Sequence, residues 1–305
     1  MEKRLTRTDY LFAIMFIFML VVALGAFFYG LKVGKEKSAM KYEEQIAKQN
    51  EATKELTAYH QQHLVSFYHT IYQPYKEFQK KWFDQMYEID ATGSADASGI
   101  MKDLGKLASD KYDALSKKTM PDSSPLLQEG LQNYLKSLKL FSEAAKNFQS
   151  KANSMKGTDL LAEIEKDAYF TEAKTFTLKA QKNYYDAMVE WNKTIDPQFK
   201  PADTGKRIGI KDWSQLNLNM KNDYIAAVML NGKTFKPYTP QDLTAKIDDL
   251  IASGQAKKMN YGEVQQAVDV LVATEAVRPG DFIRQKNKLY GNENLPQVPF
   301  FFSQD

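Results

Sequence analysis

All three histidines of the 305-residue chain fall within ten positions, at His60, His63 and His69. His60-Gln61-Gln62-His63 places two imidazoles on neighbouring turns of a helix, a spacing from which two side chains can share a metal ion. A stable site needs further ligands. His69 follows His60 by nine residues, about half a turn out of phase at 3.6 residues per turn, and only Glu51 and Glu55 lie near enough in sequence to help. A zinc-protease helix carries Glu directly after its first His, and here that position is Gln61. These residues are read as surface or half-buried histidines, and no cofactor or metal is expected.

The same clustering bears on acid–base catalysis. A Ser-His-Asp arrangement needs its histidine in a cleft, whereas these occur in one stretch only. With no cysteine, thiol nucleophiles, thiolate metal sites and disulfides are all absent. Gly232-Lys233-Thr234 matches the end of a phosphate-binding loop, but the first glycine of that motif would stand at position 227, which is Ala227. Glu43/Glu44 and Asp248/Asp249 are adjacent pairs, which diverge around a helix, and they read as solvated positions. The chain is therefore not expected to be an enzyme.

Charge narrows the partners. The 41 basic and 38 acidic residues are unevenly placed: Lys3, Arg4, Arg7, Lys32 and Lys35 face only Glu2 and Asp9 in the first 35 residues, leaving 36 of each sign over 36–305. A neutral remainder whose only arginines are Arg207, Arg278 and Arg284 lacks the basic stripe that phosphate backbones require. Nucleic acid is excluded as an expected partner.

Tyr10 to Leu31 reads YLFAIMFIFMLVVALGAFFYGL, 22 residues without a charge. As a helix it would be roughly 33 Å long, about the thickness of a bilayer's hydrocarbon core, with Tyr10 and Tyr29 near the two interfaces. It is expected to be a single-pass signal-anchor whose partner is membrane lipid. A signal peptide cleaved near Ala23 and Gly25 is the competing reading, opposed by the apolar residues that continue through Tyr29. Basic residues flank both ends, so orientation rests on analogy: a short inner tail (1–9) and an exported C-terminal part. Ala26, Gly30 and Gly34 recur every four residues and offer a face on which two anchors could pack as a homodimer.

The fold class expected beyond the anchor is all-α. Residues 32–63 read as a solvated helical stalk. Over 64–196, apolar residues at steps of three and four mark four helices: Leu64 to Ile89, Met101 to Leu115, Leu127 to Phe148 and Leu161 to Trp191. These should close as an antiparallel four-helix bundle, with Pro74 kinking or breaking the first. Two prolines and two glycines then interrupt every period, and 197–211 is read as a linker before a smaller, mainly helical C-terminal domain over 212–305. There, Thr239-Pro240-Gln241-Asp242 is a helix start and Gly254 a stop. Asn231-Gly232 fits either a hairpin turn or a helix end, and the apolar period favours the helix. The tail LPQVPFFFSQD is too apolar to float free.

Seventeen tyrosines, 18 phenylalanines and three tryptophans exceed what one narrow stripe per helix needs. They read first as a core rich in large residues; the competing reading is a flat interaction surface, for which Tyr72, Phe83 and Tyr185, off the main stripes, are the candidates, since tyrosine and tryptophan anchor protein interfaces. Together these features suggest a membrane-anchored, non-enzymatic protein acting through protein–protein contacts at the cell envelope. The alternative is a sensory or ligand-binding bundle, which would need a separate transducer because nine residues cannot house a signalling domain.

Overall fold

In the computed structural model the described residues are 15–16, 19, 59–92, 96–196, 199–201 and 203–302. The chain divides into two units, Met1–Lys54 and Glu55–Asp305. In the first, only Met15, Phe16 and Met19 are described, all helical. The remainder of the expected anchor, its small-residue face at Ala26, Gly30 and Gly34, and the stalk up to residue 58 lie outside the described residues. Among those described, no helix is long and apolar enough to cross a membrane.

Among its described residues the regular elements of the second unit are all helices, apart from an isolated antiparallel bridge between Gly209 and Glu263. It opens with α1 (Gln61–Phe67), which passes through a π-helical turn, Tyr68–Tyr72, into α2 (Gln73–Thr92). The π turn is how Pro74 is accommodated. Proline has no N–H to give and its ring presses on the carbonyl four residues back; widening the helix just before it lets the chain continue, with Gln73 N–H reaching the Tyr68 carbonyl. The expected break is thus a bulge.

α3 (Ala97–Leu115), α4 (Pro125–Gln149), α5 (Gly157–Lys166) and α6 (Ala168–Ile195) follow. The fourth expected helix is divided at Asp167, whose extended backbone ends α5 and whose carboxylate accepts from Phe170 N–H at 2.9 Å to start α6. Contact order gives the directions. Ser98 bonds the Gln149 carbonyl and Ser142 the Gly105 carbonyl, so α3 and α4 run oppositely. Phe67 meets Tyr184 while Trp82 stacks on Phe170, so α1/α2 opposes α6. Phe67 with Tyr134 and Phe78 with Phe141 show α1/α2 and α4 to be parallel. That is the alternating antiparallel bundle. Its interior is aromatic, with Tyr75, Phe78, Trp82, Tyr134, Phe141 and Tyr184 almost fully buried, and a hydroxyl cluster satisfies Tyr75 through Ser137 (2.7 Å) and Thr177.

Beyond the bundle lie α7 (Ile210–Trp213), α8 (Leu218–Asn231), α9 (Pro240–Ala252), α10 (Gln255–Lys258), α11 (Val264–Ala273) and α12 (Asp281–Leu289). Thr239 and Asp242 form the expected reciprocal cap, and α8 ends at Gly232, not in a hairpin. These helices build a second apolar core around Trp213, Ile225, Leu243 and Val264. The two cores still belong to one unit. α8 packs on α6, and the tail returns to the first core through Leu295, Val298 and Phe301. The stretch 197–211 therefore separates two cores but not two bodies.

Three of these helices end identically. Lys233, Asn260 and Glu275 adopt left-handed φ of 50°, 55° and 51°, and the residue after each donates to the carbonyl five positions back: Thr234 to Met229, Tyr261 to Ala256, Ala276 to Leu271. Glycine is the usual occupant, because a Cβ costs about 1–2 kcal/mol there. Allowing for the extra freedom glycine adds to the unfolded chain, Lys233→Gly and Glu275→Gly are each expected to stabilise by about 0.5–1 kcal/mol. The ion pair Glu275 loses, to Lys236 at 3.2 Å, is exposed and worth little. Urea denaturation checks this; a lowered midpoint for both variants would count against the assignment.

The tail, Leu295–Phe302, packs back on the protein with one 3-10 turn at Pro299–Phe301. Leu295, Val298 and Phe301 are buried in the first core.

Candidate functional site

The π turn builds one side of a dense aromatic site. It swings Tyr68 and Tyr72 to one side of the first helix, where Tyr184 and Tyr185 of α6 complete four walls around the Phe300 ring. Centroid distances from Phe300 are 5.7 Å to Tyr68, 5.5 Å to Tyr72, 6.0 Å to Tyr184 and 6.2 Å to Tyr185. Two walls are fixed by hydrogen bonds that do not involve the tail. Tyr184 donates to the Leu64 carbonyl at 2.8 Å, and Tyr185 donates to Gln241 Oε1. Burial pushes the Tyr72, Tyr184 and Tyr185 phenols well above the ordinary range, and neighbouring phenols add to it. They stay neutral donors and present apolar ring faces at any physiological pH.

Two of the three aromatics singled out as candidates for an interaction surface belong to this site, and both are buried. Tyr72 is 3% and Tyr185 0% exposed, and Phe83 is half-buried, stacked on Phe235 at 4.8 Å. An isolated four-helix bundle would leave these off-stripe positions open. Here α8, α9 and the tail add a further layer over that side, so rings outside the bundle stripe are buried too. Sequence periodicity counts stripes one helix at a time and does not register a second layer supplied from over a hundred residues away.

Three internal nodes of charged groups stand out among the described residues. Asp248, read as solvated from its sequence, is buried and accepts from Trp213 Nε1 (2.6 Å), Lys221 Nζ (3.0 and 3.1 Å) and the Tyr290 hydroxyl (2.6 Å). Its neighbour Asp249 does reach the surface, pairing with Lys288 at 3.0 Å. Lys182 on α6 bridges Asp186 and, at 2.9 Å, Asp223 of α8. Burial pushes the Asp223 carboxyl up to about 7 against the pull of that ammonium. Lys76, brought down to about 8 by burial, donates to Gln79 Oε1 at 2.6 Å. Perturbed groups of this kind mark reactive sites in enzymes. In the Asp248 and Lys182 nodes the charges are paired within the chain, as in structural ion-pair networks, and the Lys76 ammonium is held by the neutral Gln79 amide.

The histidines are used as fasteners. His60 caps α1 by accepting from Gln62 N–H at 3.3 Å. His63 is buried against Ser124 Oγ at 3.1 Å, and burial, then the His60 charge, holds its pKa below the usual imidazole value. Tyr59, in a left-handed conformation at φ 61°, donates its N–H to the same Ser124 Oγ and accepts from Leu126 N–H through its hydroxyl. This pins the start of α1 to the start of α4. Burial also lowers His69, whose ring meets Tyr68 edge-on. Among the described residues no three His, Asp or Glu side chains gather in a group able to hold a metal.

Gly232-Lys233-Thr234 forms the α8 stop described above, and Gly232 lines an open polar cleft of about 260 Å³ together with Thr204, Lys206, Arg207, Asn231 and Gln265. Its cations are paired, Lys206 with Asp203 at 3.1 Å and Arg207 with Glu263 at 3.2 Å. No family model matches the chain, and neither a curated protein nor a solved structure does.

Proposed function

We propose that this is a membrane-anchored, non-enzymatic helical protein that works through contacts with other proteins at the cell envelope, its C-terminal unit exported. The observation that carries the reading is the uncharged run 10–31. Its described residues Met15, Phe16 and Met19 are helical and expose 53%, 64% and 63% of their surface, an apolar outward face that suits lipid rather than water. The engagement of buried ionisable groups in structural nodes supports a scaffold over a catalyst, and the neutral remainder argues against nucleic acid.

Expression of the full chain with a C-terminal tag tests this. The protein should stay with membranes through alkaline carbonate washing, lose its tag to external protease in intact cells, and crosslink to a defined protein neighbour or to itself. Full-length, uncleaved protein in the soluble fraction would overturn the placement, and a crosslink-free monomer would overturn the mode of action.

A further inference from the structure

The tail is held differently from every helix it touches. Among the described residues the main chain of 294–302 bonds only to itself: Val298 N–H to the Pro296 carbonyl, Phe301 to Val298 and Phe302 to Pro299. The polar anchors lie ahead of it, where Tyr290 donates to Asp248 and Glu293 accepts from Leu218 N–H. Gly291, Asn292 and Asn294 are exposed and form a ready hinge between α12 and the tail. Beyond the hinge the grip comes from side chains: Leu295, Val298 and Phe301 in the core, Phe300 among the tyrosines, and Phe302 under the Lys286 ammonium at 4.1 Å. A segment fastened to its neighbours by side chains alone opens before a body whose helices are also held by main-chain hydrogen bonds.

What it covers is already shaped. The bonds of Tyr184 to Leu64 and of Tyr185 to Gln241 hold two walls without the tail, and Tyr68 and Tyr72 are placed by the π turn that Pro74 imposes. A rigid, tyrosine-walled socket is the composition of an interface hot spot, and walls fixed in advance lower the cost of binding. The present occupant states the chemistry that fits: an extended, uncharged stretch, Leu-Pro-Gln-Val-Pro-Phe-Phe-Phe, whose Phe300 enters the socket.

We infer that residues 294–302 are a strap occupying the chain's own docking site, and that opening admits an extended aromatic-bearing segment of a protein partner, one aromatic ring replacing Phe300. The inference rests on the proposed action through protein contacts and adds where the partner docks and what keeps the site closed. Tyr72 and Tyr185 are then interface residues whose burial is the closed state.

The full-length chain in detergent tests this with a synthetic peptide of residues 294–302 carrying a photoreactive phenylalanine at the place of Phe300. Hydrogen exchange of the untreated chain should show amides of 295–302 opening at least tenfold more often than those of α6 around Tyr184. The peptide should label the segment bearing Tyr68 and Tyr72, roughly tenfold more in a Phe300→Ala chain, where the plug is weakened. A competitor peptide with alanine at the same place should displace it at least tenfold less well. Strap amides protected as strongly as α6, or no labelling of either chain, would overturn the inference. So would a covalent dimer formed by placing the photoreactive residue at position 300 of the chain itself, which would make a second copy the occupant. Phe300 is half-buried, so the variant should fold, and the exchange measurement on the unaltered chain stands without it. If cellular crosslinking finds no partner while the peptide still labels the socket, it is the mode of action that has failed and not the strap.

Discussion

Replacing Asp248 with alanine is expected to cost the protein about 3–5 kcal/mol, the range for removing one partner of a buried ion pair. Asp248 joins four parts of the chain that share no local sequence: Trp213 of α7, Lys221 of α8, its own helix α9, and Tyr290 at the root of the strap. Both members of the ion pair are buried, with side chains about a tenth exposed. Without the carboxylate, the Lys221 ammonium keeps only the face of the Trp213 ring, 5.4 Å away, while an indole N–H and a phenol lose their acceptor. The loss falls on the second core and the base of the strap, so strap amides should exchange faster as well. Lys221→Met in the same chain should return part of the loss, because the stranded charge goes with it. Urea denaturation of the two single variants and the double variant gives the coupling. A loss below about 1 kcal/mol for Asp248→Ala would mean that the node contributes little.

How much of this was legible beforehand follows from how far apart the partners lie. The bundle helices and the caps at Thr239 and Gly254 depend on residues within a turn or two of one another, and their patterns are plain in the sequence. The π turn was half legible: Pro74 announced a disturbance, but whether a helix kinks, breaks or bulges depends on what packs against it. Asp248 was misread because its partners stand 27, 35 and 42 residues away, and beside Asp249 it looks like half of a solvated pair. One signal was available. α8 reads Leu-Asn-Met-Lys-Asn-Asp-Tyr-Ile, with apolar residues on every side and amides and charges among them, the mark of a helix surrounded by protein. Buried Asn219, Lys221, Asn222 and Asp223 bear that out, and a helix of this kind requires polar partners such as Asp248, Asn192 and Lys182. The tyrosine socket was legible in two of its members but not in its state. Tyr72 and Tyr185 were singled out as lying off the bundle stripes, and what covers them is the apolar tail whose destination the sequence left open.

Raising the pH to about 11 is expected to unfold this unit in one cooperative step, driven by its buried phenols. Tyr72, Tyr75, Tyr134, Tyr184, Tyr185 and Tyr290 are all displaced upward, in each case chiefly by burial. For Tyr75 the hydroxyls of Ser137 and Thr177 pull weakly the other way, and for Tyr290 the Asp248 charge adds to the rise. The folded values lie above the unfolded one of about 10. The phenols are therefore neutral in both states below pH 10 and contribute their full stability there. Above pH 10 the unfolded chain ionises first and is favoured, so stability falls as pH rises towards the folded values. At pH 11 each such phenol is expected to cost about 1.4 kcal/mol, and six together about 8 kcal/mol, which reaches the whole stability of a typical domain. Absorbance at 295 nm should then show these tyrosines ionising only as the helical circular dichroism disappears. The strap adds a finer expectation. Three of the six phenols wall its socket, so in Phe300→Ala part of the absorbance rise should move to lower pH, ahead of the loss of helicity, because water then lets Tyr72, Tyr184 and Tyr185 ionise in the folded chain. Phenolate absorbance rising to completion with helicity intact would mean that these rings are wet in the folded protein, and the buried socket would be refuted with them.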